Sequence, residues 1–280
     1  MKKIVVATTL ASVALLAEPY MPHFSEENTD AVIVAEQTTV NDITVSNVRS
    51  DFALGTHTSM ASAQYINNGD VSILNIPVGY NITNNIGLEA NIPFVQVKSD
   101  FADTQRGIGD VSVGMNYHFG SYRSVSGLHL TTLRYKSTSG DEEKGLGTGK
   151  AAYTLSHSFT KELGADFRGH ALASYTFNDE EVLGDSYNVM LGVSRPCLLN
   201  DKLRTNVKFA YFNMKENEYE MNGITTADVW LEWNTQSLLT NVPLGFGVKI
   251  PLVNEISSFG TTVDADKTVF FYLSAGSFFD

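Results

Sequence analysis

The sequence predicts an all-β fold: a transmembrane antiparallel up-and-down β-barrel of twelve strands, closed by its C-terminal strand. Three observations carry that reading. Segments of roughly ten to fourteen residues alternate apolar and polar side chains, the period of a strand whose successive side chains leave opposite faces. The mean hydropathy is only −0.07 although 43% of residues are hydrophobic, as expected when lipid contact is confined to every second residue. Beyond the N-terminus there is no run of about eighteen apolar residues, so no helix spans a bilayer. The closed barrel is the other backbone arrangement that satisfies every amide in lipid.

Taken in order, residues 1–17 read as a signal peptide: Lys2 and Lys3 precede the short apolar stretch IVVATTLASVALLA. Ala17 suits the last position before a cut, but Leu15 is bulky where a small residue is preferred, so the cleavage site stays open. Residues 18–57 alternate poorly and are rich in Ser, Thr, Asn, Asp and Glu; they read as an N-terminal leader or a plug of the lumen. Residues 58–280 form the barrel, with strands expected near 58–66, 70–83, 85–98, 109–120, 126–137, 150–160, 164–177, 186–195, 202–214, 225–235, 242–253 and 267–279.

The alternation is clearest where Val111, Val113, Met115, Tyr117 and Phe119 oppose Ser112, Gly114, Asn116 and His118. It recurs where Ile86, Leu88, Ala90, Ile92 and Phe94 oppose Gly87, Glu89 and Asn91. The segment 128–137 alternates poorly, which suggests a bulge. Connections at 84–85, 120–125, 161–164, 196–201 and 236–241 are short, whereas 99–108, 138–149, 178–185, 215–224 and 254–266 are mostly longer and rich in Gly, Asp and Glu. Short periplasmic turns and long external loops are the asymmetry of such barrels. The C-terminal strand is rich in aromatics, and Tyr80, Phe94, Tyr117, Phe119, Phe159, Tyr175, Phe177 and Tyr211 gather near strand ends as interface girdles do. A secreted β-sandwich would also alternate, but its strands average about five or six residues, half the length seen here.

Charge and cysteine usage exclude several functions. The formal net charge is −12, and loss of the two N-terminal lysines on export makes it −14. Nucleic acid needs clustered Lys and Arg, so it is not an expected partner. The single Cys197 cannot form an internal disulfide and reads as a turn residue. No cofactor is expected. The expected partners are outer-membrane lipids and lipopolysaccharide, the barrel-assembly machinery and a small-molecule solute.

Four stretches, LNIPVGYNITNNIGLEANIPFV (74–95), GIGDVSVGMNYHF (107–119), GLGTGKAAYTLSHSF (145–159) and PLGFGVKIP (243–251), resemble the MetA-pathway-of-phenol-degradation family of outer-membrane transporters. The order of the pieces is similar too: a strand, a tight turn, a strand ending in a Pro-aromatic pair, a loop, then GxGD opening the next strand. The resemblance covers about 70–280 and implies a barrel with a transport role; by the same resemblance the solute is of hydrophobic or aromatic type.

The GxGD at 107–110 reads as structural, its glycines permitting a sharp entry to the strand and Asp110 bonding loop amides. GLGTGKA at 145–151 lacks the spacing and hydroxyl residue of a phosphate loop. Glu89, His118, Arg168, His170, Arg204, Lys208, Asp228, Glu232 and Lys249 fall on inward positions, because a lysine or arginine at the lipid midplane costs about 2–4 kcal/mol. They are either a paired network filling a narrow interior or a polar track for solute; a barrel of this size decides neither. Asp141, Glu142, Glu143, Asp179, Glu180 and Glu181 are candidates to share Ca²⁺ or Mg²⁺ in the external loops, though nothing resembles an EF-hand.

The leading expectation is an outer-membrane channel for small molecules, without chemistry. The competitors are a structural or adhesive barrel acting through its acidic loops and an outer-membrane lipid hydrolase. A hydrolase needs a serine, a histidine and an orienting polar residue on the outer face. The suggestive pair is His57 and Ser59; His157 and Ser158 point to opposite faces.

Overall fold

The computed structural model describes residues 59–67, 71–83, 85–98, 104–121, 124–178, 183–198, 203–220, 223–235, 244–265, 267 and 269–279. The expected signal peptide, the 18–57 leader and His57 lie outside the described residues, as do Asp179, Glu180 and Glu181.

Among the described residues fourteen strands follow in chain order: β1 (Ser59–Asn67), β2 (Val71–Asn81), β3 (Ile86–Val97), β4 (Gln105–Ile108), β5 (Ser112–Ser121), β6 (Gly127–Lys136), β7 (Ala152–Gly164), β8 (Phe167–Phe177), β9 (Ser186–Pro196), β10 (Leu203–Met214), β11 (Gly223–Thr235), β12 (Leu244–Ser258), β13 (Thr261–Asp264) and β14 (Phe270–Phe279). Twelve of them are barrel staves. β2 to β3, β5 to β12 and β14 each pair antiparallel with the neighbouring stave on either side, and β1 pairs with both β2 and β14 to shut the ring. The short β4 and β13 extend β3 and β12 in hairpins that the alternation did not reveal.

The sheet is inside out relative to a soluble protein. On β5 the outward Val113 and Met115 are 51% and 54% exposed, while the inward Asn116 is 1% exposed. The same holds on β7, where Tyr153 and Leu155 are exposed and Thr154, Ser156 and Ser158 are buried. A continuous apolar exterior of this extent requires lipid, since soluble monomers seldom expose more than a few hundred Å² of contiguous apolar surface.

Two local expectations are corrected. The hairpin between β7 and β8 turns at Ala165 and Asp166, not at 161–164; both have positive φ (49° and 64°), the conformation of a two-residue primed turn. A bulge at Glu162–Gly164 precedes it. The segment 128–137 contains no bulge: β6 keeps unbroken register with both β5 and β7. Its pattern is poor because polar His129 and Thr131 face outward while apolar Leu130 faces in.

Proline cannot donate to a ladder, and three prolines fall where a ladder lapses. The β1–β2 pairing skips from Ala61–Val78 to Gln64–Asn75 beside Pro77. β3 changes partner around Pro93, from β5 below Asn91 to β4 above Phe94, and Gly109 donates its N–H to the Pro93 carbonyl at 2.8 Å. Pro251 pairs with Asp228 at the register shift on the β11–β12 seam.

Candidate functional site: the lumen

The Pro93 break frees the chain at 109–111 from the sheet, and Asp110 uses that freedom. Its carboxylate accepts the Gly140 N–H at 2.9 Å and both the N–H and the hydroxyl of Thr148, at 2.9 and 3.0 Å. Lys136 lies 3.3 Å from the same carboxylate and donates to Thr148 Oγ1. A Cβ on Gly147 would stand 2.4 Å from Asp110 Oδ1, so glycine is what lets the loop close on it. The GxGD motif thus ties the loop between β6 and β7 to the mouth of the barrel, and the glycines of GLGTGKA belong to this clasp.

Inside, the charges meet in pairs that span more than one strand. Glu89 on β3 bonds Arg134 on β6: Nε and Nη2 both donate to Oε1, at 3.0 and 2.8 Å, and Asn116 Nδ2 donates to Oε2 at 3.2 Å. The strand between them places Gly114 in register with both residues, where a Cβ would stand 3.0 Å from the Glu89 carboxylate. The glycine is the gap across which the pair closes. Lys208 on β10 bonds Glu232 on β11 at 2.7 Å, and both side chains are fully buried. Gly192 lies opposite Lys208 and Gly247 opposite Glu232, again leaving room for the long side chains. Asp228 and Lys249 pair at 3.4 Å, and the Lys249 ammonium lies 5.8 Å from the Trp230 ring centre.

Near the 165–166 turn, Arg204 Nη1 donates to Ser194 Oγ at 3.1 Å and to the Asp166 carbonyl at 3.3 Å. Ser194 Oγ is 2.9 Å from His170 Nε2, whose other ring nitrogen is 3.2 Å from Thr160 Oγ1. His118 and Arg168 take inward positions and are half-buried. Sequence reasoning missed Arg134, because the outward polar residues of β6 blur its alternation. It also missed the inward apolar cluster of Leu172, Met190, Ala210 and Trp230, because an apolar residue on a membrane strand reads as lipid-facing.

One polar network lies outside. Thr131 Oγ1 is 2.9 Å from His157 Nδ1, His157 Nε2 is 3.2 Å from His129 Nδ1, and His129 Nε2 is 2.9 Å from the Ser126 carbonyl. Since the carbonyl can only accept, one proton order satisfies every ring nitrogen: Thr131 donates to His157, His157 to His129, and His129 to Ser126. Phe119 stacks on His129 at 4.6 Å. Of the acidic loop candidates, Asp141 is held by Lys144, whose ammonium lowers its pKa, and Glu142 packs on the Gly149 backbone. Among the described residues no group of three or more His, Cys, Asp or Glu side chains is placed to hold a metal. Cys197 closes the β9–β10 turn, its N–H donating to the Leu203 carbonyl.

A closed, inverted twelve-stave cylinder with a polar interior is a transmembrane β-barrel. Solved structures agree with that fold. The COG4313 outer membrane channel from Pseudomonas putida F1 superposes with a TM-score of 0.63 at 13% identity, over 82% of this chain and 98% of that one. The KdgM porin follows at 0.53 and 8%, over 79% and 99%. No family model matches the chain, and no curated protein is similar to it in sequence.

Proposed function

We propose that the barrel sits in the bacterial outer membrane and passes small solutes through its lumen without chemistry. The observation that carries this reading is the segregation of the wall: hydroxyls, amides and paired charges inside, apolar side chains outside. Of the two solved neighbours above one is an outer membrane channel and the other a porin, and the resemblance to the MetA-pathway family points the same way. Both termini lie on the periplasmic side, with the longer acidic loops outside. The nine inward charged and histidine residues then shape the passage rather than react.

The test is flux through liposomes carrying the refolded protein, with small neutral, anionic, cationic and aromatic probes. Flux above empty liposomes supports the channel. Its absence from demonstrably folded barrels would leave the structural or adhesive reading, which the complete burial of Lys208 and Glu232 favours. A lipid hydrolase is a third reading, favoured by the hydroxyl–histidine–histidine chain on the lipid face. Release of fatty acid from the same liposomes, lost in Thr131→Val, would establish it; no release removes it.

A further inference from the structure

We propose a binding site for a divalent transition-metal ion of the zinc type on the outer wall of the barrel, with His129 and His157 as its protein ligands. The site does not depend on whether the lumen conducts. His129 on β6 and His157 on β7 both point away from the lumen, and both rings are reachable from outside: His157 is exposed and His129 partly so. They stand toward the end of the staves that carries the β5–β6 and β7–β8 turns, with His129 only two residues inside the start of β6. Strand ends are where water and lipid headgroups, rather than acyl chains, reach the wall of such a barrel. Imidazole is a ligand that suits zinc, copper and nickel.

Distances and partners fit one ion. His129 Nδ1 and His157 Nε2 lie 3.2 Å apart. Two nitrogens bound at about 2.0–2.1 Å to one tetrahedral ion stand about 3.3–3.4 Å apart, against about 2.8–3.0 Å for ligands at a right angle. The other nitrogen of each ring already faces an oxygen, the hydrogen bond that fixes the tautomer of a metal-binding histidine. His129 Nε2 is 2.9 Å from the Ser126 carbonyl, and His157 Nδ1 is 2.9 Å from Thr131 Oγ1. Phe119 stacks on the His129 ring with centroids 4.6 Å apart and Phe159 lies against it at 4.9 Å, so the ring is held before an ion arrives. Without an ion, the proton of His157 sits on Nε2 and is directed at His129. Binding moves that proton to Nδ1, where Thr131 turns from donor to acceptor; the neutral pair loses no proton, and both free nitrogens face the ion. The two histidines fill two of four positions, and oxygens of water and headgroups fill the others. Lys161, on the same face of β7, lies about 13 Å further along the strand toward the turn, which leaves its charge at the rim.

The test is binding of Zn²⁺ by the untagged, refolded full chain in detergent micelles, with zinc X-ray absorption to identify the ligands. One bound ion with two imidazole nitrogens at about 2.0 Å is expected. His129→Gln and His157→Gln should each weaken binding by at least about tenfold, and Thr131→Val by roughly tenfold through loss of the oxygen that holds His157. His118→Gln and His170→Gln, inside the lumen, should leave binding unchanged. Histidine-selective NMR should show the His157 tautomer change on addition of Zn²⁺, which a histidine that is merely packed would not do. Heat-modifiable mobility on gels establishes that each variant is folded. A folded parent that takes up no Zn²⁺ overturns the site, as does uptake that survives both His129→Gln and His157→Gln. Equal binding of Mg²⁺, which takes oxygen ligands, overturns the metal class.

Discussion

Replacing Glu232 by glutamine removes the charge that Lys208 is bonded to and leaves the size of the side chain almost unchanged. The two groups lie 2.7 Å apart with no solvent exposure on either side chain. If that burial is dry, the lysine loses its counter-charge in a poorly solvated place, and losses of this kind run to about 3–5 kcal/mol. If water reaches the pair, the interaction resembles a surface salt bridge and its loss costs about 0–1 kcal/mol. The two cases are far enough apart to measure. Urea unfolding from phospholipid vesicles would report the difference, and the only two tryptophans, Trp230 and Trp233, flank Glu232 as probes. The double change Lys208→Met with Glu232→Leu should restore stability to near the parent or above it, because well-packed apolar groups replace a buried pair at little or no cost. A loss below about 1 kcal/mol for Glu232→Gln would refute the dry pair and indicate a wet lumen at this level.

Four further outcomes are expected. Gly114→Ala should destabilise the barrel by about 1–3 kcal/mol in the same assay, because its Cβ would meet the Glu89 carboxylate and the Leu133 carbonyl at 3.0 Å. Leu191→Arg on the lipid face should cost about 2–4 kcal/mol if that position lies near the midplane, and a cost near zero would place it outside the hydrocarbon. Ala165→Gly should stabilise by about 0.5 kcal/mol, since an alanine at φ 49° is strained and glycine is not. Asp110→Ala should release the loop between β6 and β7, read as faster proteolytic cleavage there with the barrel intact.

The staves were legible because a strand with lipid on one side and polar groups on the other writes its period directly into the chain; β5 is the plainest case. β6 shows where that fails. Its outward His129 and Thr131 are tolerated because both bond His157 on β7, a cross-strand fact that a single strand does not encode. The nine charged and histidine residues of the interior were placed inward by the same alternation, but their pairing was not legible. Glu89 reaches Arg134 over an intervening glycine, and that depends on the register of three strands at once. Asp110 as a bonder of loop amides was readable from GxGD, because glycines beside an aspartate announce a backbone contact. Asn188, buried on β9 with both amide atoms unpartnered, carries no such signal, because an asparagine in a strand looks alike whether or not it finds a partner.

A closed cylinder behaves as a hoop, and its stiffness is that of its weakest ribs. Pro77, Pro93 and Pro251 each sit where a rib lapses. All three stand in the arc running from β12 through β14, β1 and β2 to β3, so the hoop is unevenly braced. The opposite arc, β5 to β10, keeps its pairing continuous except beside the β7–β8 turn, and it carries the buried polar row Asn116, Thr132, Ser156, Ser174 and Asn188. A change in cross-section would therefore be taken up by the proline arc and leave the polar wall rigid. Under lateral pressure the lumen would flatten from one side only.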